Sequence, residues 1–381
     1  MTLQRKLSIP ALALVMITGT GFTPGSGPSW QLTDTGSTAR FRGLAPVSAS
    51  VAWAAGSAGT ILRTRDGGAS WSSVGPPEAA ALQFRDIEAF EARTAVALTI
   101  GAGAESRIYR TADGGRSWTE AFRNEDPAAF YDCLDFSDRR NGLALSDPVG
   151  GRFRILATRD GGRSWQVRSD AGMPEALPGE FAFAASGTCL VTSGSRAWFA
   201  TGGATTSRVF ASSDFGRTWS VSDSPIPGGP SAGIYGLAFR ESPRHHGAGR
   251  AEDARAAASG RVEGARAVGG RAVEGLAVGG DYVTPAAAPD GAAVSRDGGR
   301  RWTVARTVPG EYRSGVAWTG RGRTALAVGP TGSDISYDGG VTWRRFDTGS
   351  FDAVACAGDG SCWASGEAGR IARLARTHHG D

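Results

Sequence analysis

The stretch Thr64-Arg65-Asp66-Gly67-Gly68-Ala69-Ser70-Trp71 decides the fold. It is a hairpin turn written in side chains. The Asp66 carboxylate can accept hydrogen bonds from backbone N–H groups of its own turn, and Gly67 and Gly68 permit positive φ. Ser70 can close the loop with its hydroxyl. Trp71 opens the next strand as a large packing block. The octapeptide recurs at Thr111–Trp118, Thr158–Trp165, Ser212–Trp219, Ser295–Trp302 and Ser336–Trp343, with tryptophans 47, 47, 54, 83 and 41 residues apart. A period of this size marks a repeated supersecondary unit.

A second repeat lies upstream of each octapeptide and reads aromatic, polar, any residue, aliphatic. Its clear copies are Phe41-Arg-Gly-Leu44, Phe84-Arg-Asp-Ile87 and Tyr131-Asp-Cys-Leu134. Weaker copies end at Leu190, Leu237, Val316 and Val354, which makes seven. Each copy is followed by a short apolar strand and then by a third strand that leads into the octapeptide. Four strands per unit is the pattern of a propeller blade.

Seven first strands against six octapeptides are reconciled at the ends of the chain. The last unit stops after its third strand, near Leu374. Ser29-Trp30-Gln31 matches Ser117-Trp118-Thr119, the start of a fourth strand. The expected fold is therefore all-β: a seven-bladed β-propeller of four-stranded blades over 28–374, closed when the N-terminal strand completes the last blade. Closure removes exposed sheet edges. Blades are expected near 41–74, 84–122, 130–168, 183–222, 233–305, 312–346 and 351–374 plus 29–33. The long fifth spacing holds an Ala-, Gly- and Arg-rich insertion at about 244–273, without apolar periodicity, which reads as a disordered loop. Residues 375–381 form a tail.

Composition agrees. The chain has 381 residues, 40% hydrophobic and 20% charged, with 57 glycines and 11 tryptophans. Many glycines with spaced aromatics suit short strands and tight turns. Formal charge is +4, from 41 basic and 37 acidic residues, and Lys6 is the only lysine. That balance excludes an electrostatic nucleic-acid binder. Arg5 and Lys6 followed by the apolar run Leu7–Ile17 read as an export signal over 1–27, too short to span a bilayer. The expectation is a secreted or periplasmic protein, monomeric, with no transmembrane segment in its mature form.

The octapeptide matches the Asp-box, or BNR, repeat, S/T-x-D-x-G-x-S/T-W. The chain over about Ser29–Leu374 resembles the photosystem II stability/assembly-factor-like propellers, and more distantly those of sialidases and sortilin-type receptors. The resemblance implies an assembly or binding scaffold. It also implies that Asp66, Asp113, Asp160, Asp214, Asp297 and Asp338 are structural and lie on the face away from the ligand. Arg301 replaces the Ser/Thr of the fifth box, so that turn should lose one hydrogen bond. Similar actinobacterial proteins often carry the label oxidoreductase. No dinucleotide fingerprint, haem-attachment or flavin motif supports it here, and no cofactor or metal is expected.

Function is expected at the opposite mouth of the ring. Aligning the second repeat places Arg42, Arg85, Asp132, Thr188, Tyr235, Ser314 and Asp352 at equivalent positions, with Arg313 and Asp86 flanking them. Asp147, Asp281, Tyr282, Asp334 and Glu367 sit on neighbouring loops. Adjacent opposite charges can neutralise one another. Alternatively, clustered guanidinium groups can bind carboxylates of a protein chain, an acidic peptide or an acidic glycan. The rival reading is a sialidase-type glycoside hydrolase. It would use Tyr131, Tyr235 or Tyr282 as nucleophile and Asp86 or Asp132 as acid, with Glu180 or Glu367 the nearest glutamates.

Cys356 and Cys362 bracket a five-residue turn and could pair across a hairpin. Cys133 and Cys189 hold matching positions in adjacent blades. They could pair or be small buried residues, and burial is the reading taken. His245-His246 and His378-His379 fall in the insertion and the tail and read as solvated, not as metal ligands.

Overall fold

In the computed structural model, which describes residues 27–241, 273–320 and 322–375, the strands assemble into seven four-stranded antiparallel sheets. Helical structure among these residues is limited to two short 3-10 turns, Pro77–Ala79 and Gly103–Glu105. The expected leader up to residue 26, the insertion at 242–272, the tail from 376 and all four histidines lie outside the described residues.

Six sheets are contiguous in sequence. The seventh is not: Trp30–Thr33 pairs antiparallel with Ile371–Leu374, in register from Trp30 opposite Leu374 to Thr33 opposite Ile371. The N-terminal strand thus completes the last blade, as the sequence analysis anticipates. The Trp30 indole N–H donates to Ser333 Oγ of blade 6 at 2.9 Å, and its ring packs against Phe346 and Phe351.

The octapeptides build the turns their chemistry specifies. Asp113 Oδ1 accepts the Thr111 hydroxyl at 2.9 Å and the Ser117 N–H at 3.0 Å, while Oδ2 accepts the Ser117 hydroxyl at 2.6 Å. Thr111 Oγ1 in turn accepts the Gly115 N–H, which needs the positive φ of Gly114 and Gly115. In the fifth copy Asp297 Oδ1 accepts from Ser295, Arg300 and Arg301, and no hydroxyl reaches Oδ2. The lost hydrogen bond expected from Arg301 is a feature of the fold. The tryptophans then seal blade to blade: Trp118 meets Trp53 edge-on, and Trp71 meets Trp363 likewise.

Blade 4 departs from expectation. Its first strand is only Leu190–Ser193 and does not begin near 183. The weak repeat Gly187-Thr-Cys-Leu190 lacks the aromatic that anchors Phe41, Phe84 and Tyr131 in the cores of other blades. The lead-in Ala182–Thr188 instead crosses the axis of the ring. Ser186 Oγ donates to the Ser314 carbonyl of blade 6 at 2.7 Å, and the Ala182 N–H donates to Asp147 of blade 3 at 2.8 Å. Arg85 of blade 2 donates to the Ala184 carbonyl, and Phe183 stacks on Tyr235 of blade 5 with ring centroids 3.8 Å apart.

Two disulfides are present. Cys356–Cys362 closes the first hairpin of blade 7, where the two residues are direct cross-strand partners. Cys133–Cys189 ties blade 3 to the end of the axial lead-in. This corrects the reading of Cys133 and Cys189 as unpaired: both are buried, and they are bonded to each other.

Candidate functional site: the mouth of the ring

The aligned position of the second repeat is a structural fact. Ladder registers slip between Phe41 and Gly43, Phe84 and Asp86, Tyr131 and Cys133, and Ile234 and Gly236. Arg42, Arg85, Asp132 and Tyr235 are therefore each the extra residue of a β-bulge near the start of a first strand. A bulge re-aims its side chain, so four blades break their ladders at the same rim.

Of the two readings of these charges, the neutralisation of adjacent opposite groups describes Arg42 with Asp352 and Arg313 with Asp334. Arg313 is a correction: it is fully buried and paired, not open to a ligand at the mouth. Its guanidinium lies 2.6 Å from Asp334 and also donates to the Tyr312 carbonyl and Thr331 Oγ1. Asp352 is buried and bidentately bound by Arg40 through two 2.7 Å bonds, with Arg42 3.8 Å away. Arg40 was not singled out in the sequence, because it precedes the repeat by one residue; an arginine just ahead of an inner strand is its only signal. Ser314 is buried and donates to the Asp352 carbonyl at 2.6 Å. Asp147 holds the axial lead-in, and Asp281 Oδ1 accepts the Val283 N–H within its own loop.

The groups named for catalysis are also placed. Tyr131 is completely buried beside Phe122 with Arg154 nearby, and burial pushes its pKa up to about 12. Tyr235 is buried and donates to the Ser231 carbonyl at 2.7 Å, with its pKa raised by burial. Asp86 accepts the backbone N–H of Ile87 and of Leu134 in blade 3. Asp132 is buried with Oδ2 unpartnered, and burial and the Asp147 charge raise its pKa. Glu180 is taken by Arg208, Thr201 and the Leu177 N–H. Among the described residues, the bonds of Tyr235 and Glu180 do not join a tyrosine to a glutamate. No group of three or more His, Cys, Asp or Glu side chains there could hold a metal ion.

The rim keeps one exposed apolar step. Tyr282 and Val283 are 55% and 64% exposed. Tyr282 meets Tyr235 edge-on, and Phe183, Tyr235 and Tyr312 form a buried aromatic cluster beneath.

This architecture has counterparts among solved structures. The chain superposes on the structure titled "YCF48 bound to D1 peptide" with a TM-score of 0.60 at 14% identity, covering 91% of this chain and 97% of that one. It superposes on YCF48 from Cyanidioschyzon merolae with a TM-score of 0.57 at 13% identity, covering 91% and 98%. The chain shares its fold with YCF48. The resemblance read from the octapeptides and the seven-blade count thus agree with the structural neighbours. No family model matches the sequence, and no curated protein matches it.

Proposed function

We propose that the protein is a non-catalytic binding scaffold, exported from the cytoplasm, that docks a protein segment or acidic peptide on the mouth of its propeller. The observation that carries this reading is the allocation of groups at the rim. Tyr131, Tyr235, Asp86, Asp132 and Glu180 are buried or bonded, while Tyr282 and Val283 stand exposed on an aromatic base whose Tyr312 lies near the charges of Arg40, Arg42 and Asp352. An exposed aromatic on a rim that also carries arginine is the composition of a protein-binding hot spot. A neighbour of the same fold is titled as bound to a peptide, which supports a peptide-sized ligand. An acidic glycan is the other ligand with suitable charge.

The test is a crosslinked pull-down from the extracytoplasmic and membrane fractions. The mature protein is compared with a variant carrying Arg42→Glu, Arg85→Glu and Tyr282→Ala. A protein captured by the first and lost by the second supports docking at the mouth. Identical capture by both excludes the mouth, and turnover of acidic glycosides by the unmodified protein replaces the scaffold reading with an enzymatic one.

A further inference from the structure

The octapeptide face, opposite the mouth, carries a contact that recurs at three junctions between blades. In blades 1 and 2 the residue just before the octapeptide is an arginine that reaches the next blade's turn. Arg63 donates to the Gly114 carbonyl at 2.7 Å and Arg110 to the Gly161 carbonyl at 2.8 Å. Arg373 of blade 7 does the same to Gly67 at 3.2 Å. Each acceptor is the fourth residue of its octapeptide, a glycine with positive φ.

Between blades 3 and 4 both partners are changed. Ala157 stands where Arg63 and Arg110 stand, and Phe215 stands where Gly67, Gly114 and Gly161 stand. At this junction lies a groove of about 640 Å³ whose lining includes Ala157, Arg159, Arg168, Ser169 and Arg217, with Asp160 the one carboxylate among the lining residues. Phe215 has φ +58° and is buried, and the other non-glycine residues with positive φ among the described residues are alanines, Ala58 and Ala368. A bulky residue in that region is strained, and such strain persists where the surroundings hold it in place.

The ring of Phe215 lies beneath Arg168, whose guanidinium carbon is 5.8 Å from the ring centroid. Two of that guanidinium's nitrogens, Nε and Nη2, are buried without a hydrogen-bond partner. Burial and the nearby Arg217 and Arg159 charges lower its pKa. The neighbouring acids do not neutralise it by hydrogen bonding. Asp160 accepts from Thr158, Arg163 and Ser164, and Asp214 accepts from Ser212, Arg217 N–H and Thr218. The contrast with the mouth is plain: Arg40, Arg208 and Arg313 each have a carboxylate, and Arg168 has an aromatic ring.

We propose that the groove between blades 3 and 4 is a binding site for a phosphate group, held by Arg159, Arg168 and Arg217. Three guanidinium groups exceed what one planar carboxylate can pair, whereas a tetrahedral dianion offers enough oxygens and charge for all three. Ser169 adds a hydroxyl at the groove wall. The phosphate is free or a monoester, and the site lies on the face away from the docking reading above, so each stands or falls separately.

The test is calorimetric titration of the full chain with inorganic phosphate, glycerol 3-phosphate and acetate at fixed ionic strength. Saturable binding of a phosphate species, at least about tenfold tighter than acetate, is expected, since charge-assisted pairs strengthen with anion charge. Equal affinity for both phosphates points to the free ion, and stronger binding of the ester points to an esterified ligand. Arg168→Gln should weaken binding at least tenfold. The double variant Ala157→Arg with Phe215→Gly rebuilds the arrangement of blades 1 and 2. It should fold, fill the groove and abolish binding. No saturable phosphate binding, acetate binding equal to phosphate, or undiminished binding by the folded double variant overturns the proposal.

Discussion

Trp30 and Ser333, 303 residues apart, are joined by a 2.9 Å hydrogen bond from the indole N–H to the hydroxyl. The bond lies where the N-terminal strand, seated on blade 7, meets blade 6, so the closing strand is fastened to two blades. Trp30→Ala removes the bond and the packing on Phe346 and Phe351 together. The expected loss is about 2–4 kcal/mol, in the range of large-to-small core changes. Denaturant unfolding measures it. Trp30→Phe should retain most of the packing and lose only about 1 kcal/mol.

Arg313 and Asp334 form an ion pair in which both side chains are buried. Arg313→Met strands a carboxylate and should cost about 3–5 kcal/mol. Adding Asp334→Leu should recover most of that loss, because an apolar pair of similar volume needs no desolvation of charge. A double variant as unstable as the single one would show that the pair's value is geometric.

The fifth octapeptide offers a gain. Arg301→Ser restores the hydroxyl that the other turns give to their aspartate's second oxygen. Stability should rise by about 0.5–1.5 kcal/mol. The matching loss is Ser117→Ala, which takes the hydroxyl from Asp113. Opposite signs for the two changes in thermal melts check the assignment.

Stability should depend on pH in two directions. Burial raises Asp135 and Asp147 to about 6, and raises Asp86 and Asp132 as well. A raised carboxylate binds its proton more readily in the folded state than in the unfolded chain, where the pKa is about 4. Its contribution is complete below about pH 4 and is lost as pH rises through 6. Asp66, Asp160 and Asp214 are lowered to about 2, with turn hydrogen bonds favouring the charged form, and their contribution is lost as pH falls from about 4 through 2. Melting temperature should therefore increase from pH 8 to pH 5 and drop below pH 4. A monotonic fall from pH 8 downward would contradict this balance.

At the mouth, Tyr282→Ala should weaken capture of the docked partner by at least tenfold, the scale of a hot-spot aromatic. The melting temperature should barely move, since the side chain is mostly exposed. Surface-immobilised binding measured beside a thermal melt separates the two effects.

The architecture was legible because its instructions are local and repeated. Each octapeptide needs only its own aspartate, hydroxyls and glycines to turn, and Ser29-Trp30-Gln31 showed by likeness to Ser117-Trp118-Thr119 where the missing strand lay. The alignment of Arg42, Arg85, Asp132 and Tyr235 also emerged as a common bulge. The pairing of those side chains was not legible. Arg313 finds Asp334 through a ladder position in the next strands, and Arg40 finds Asp352 across the ring closure, 312 residues away. Blade 4 was misread because Gly187-Thr188-Cys189-Leu190 carries the aliphatic end of the repeat without its aromatic start. A pattern shows that an anchor is missing and does not show where the freed chain goes.

The freed chain sets the size of the whole assembly. Ala182–Thr188 touches blades 2, 3, 5 and 6, so it acts as a gauge cut to one diameter. Adding or removing a blade would change the spans between those blades, so the same lead-in would not keep all of these contacts. Blade duplication and loss are the usual routes by which repeat proteins change size. Here either event would need a redesigned centre at the same time.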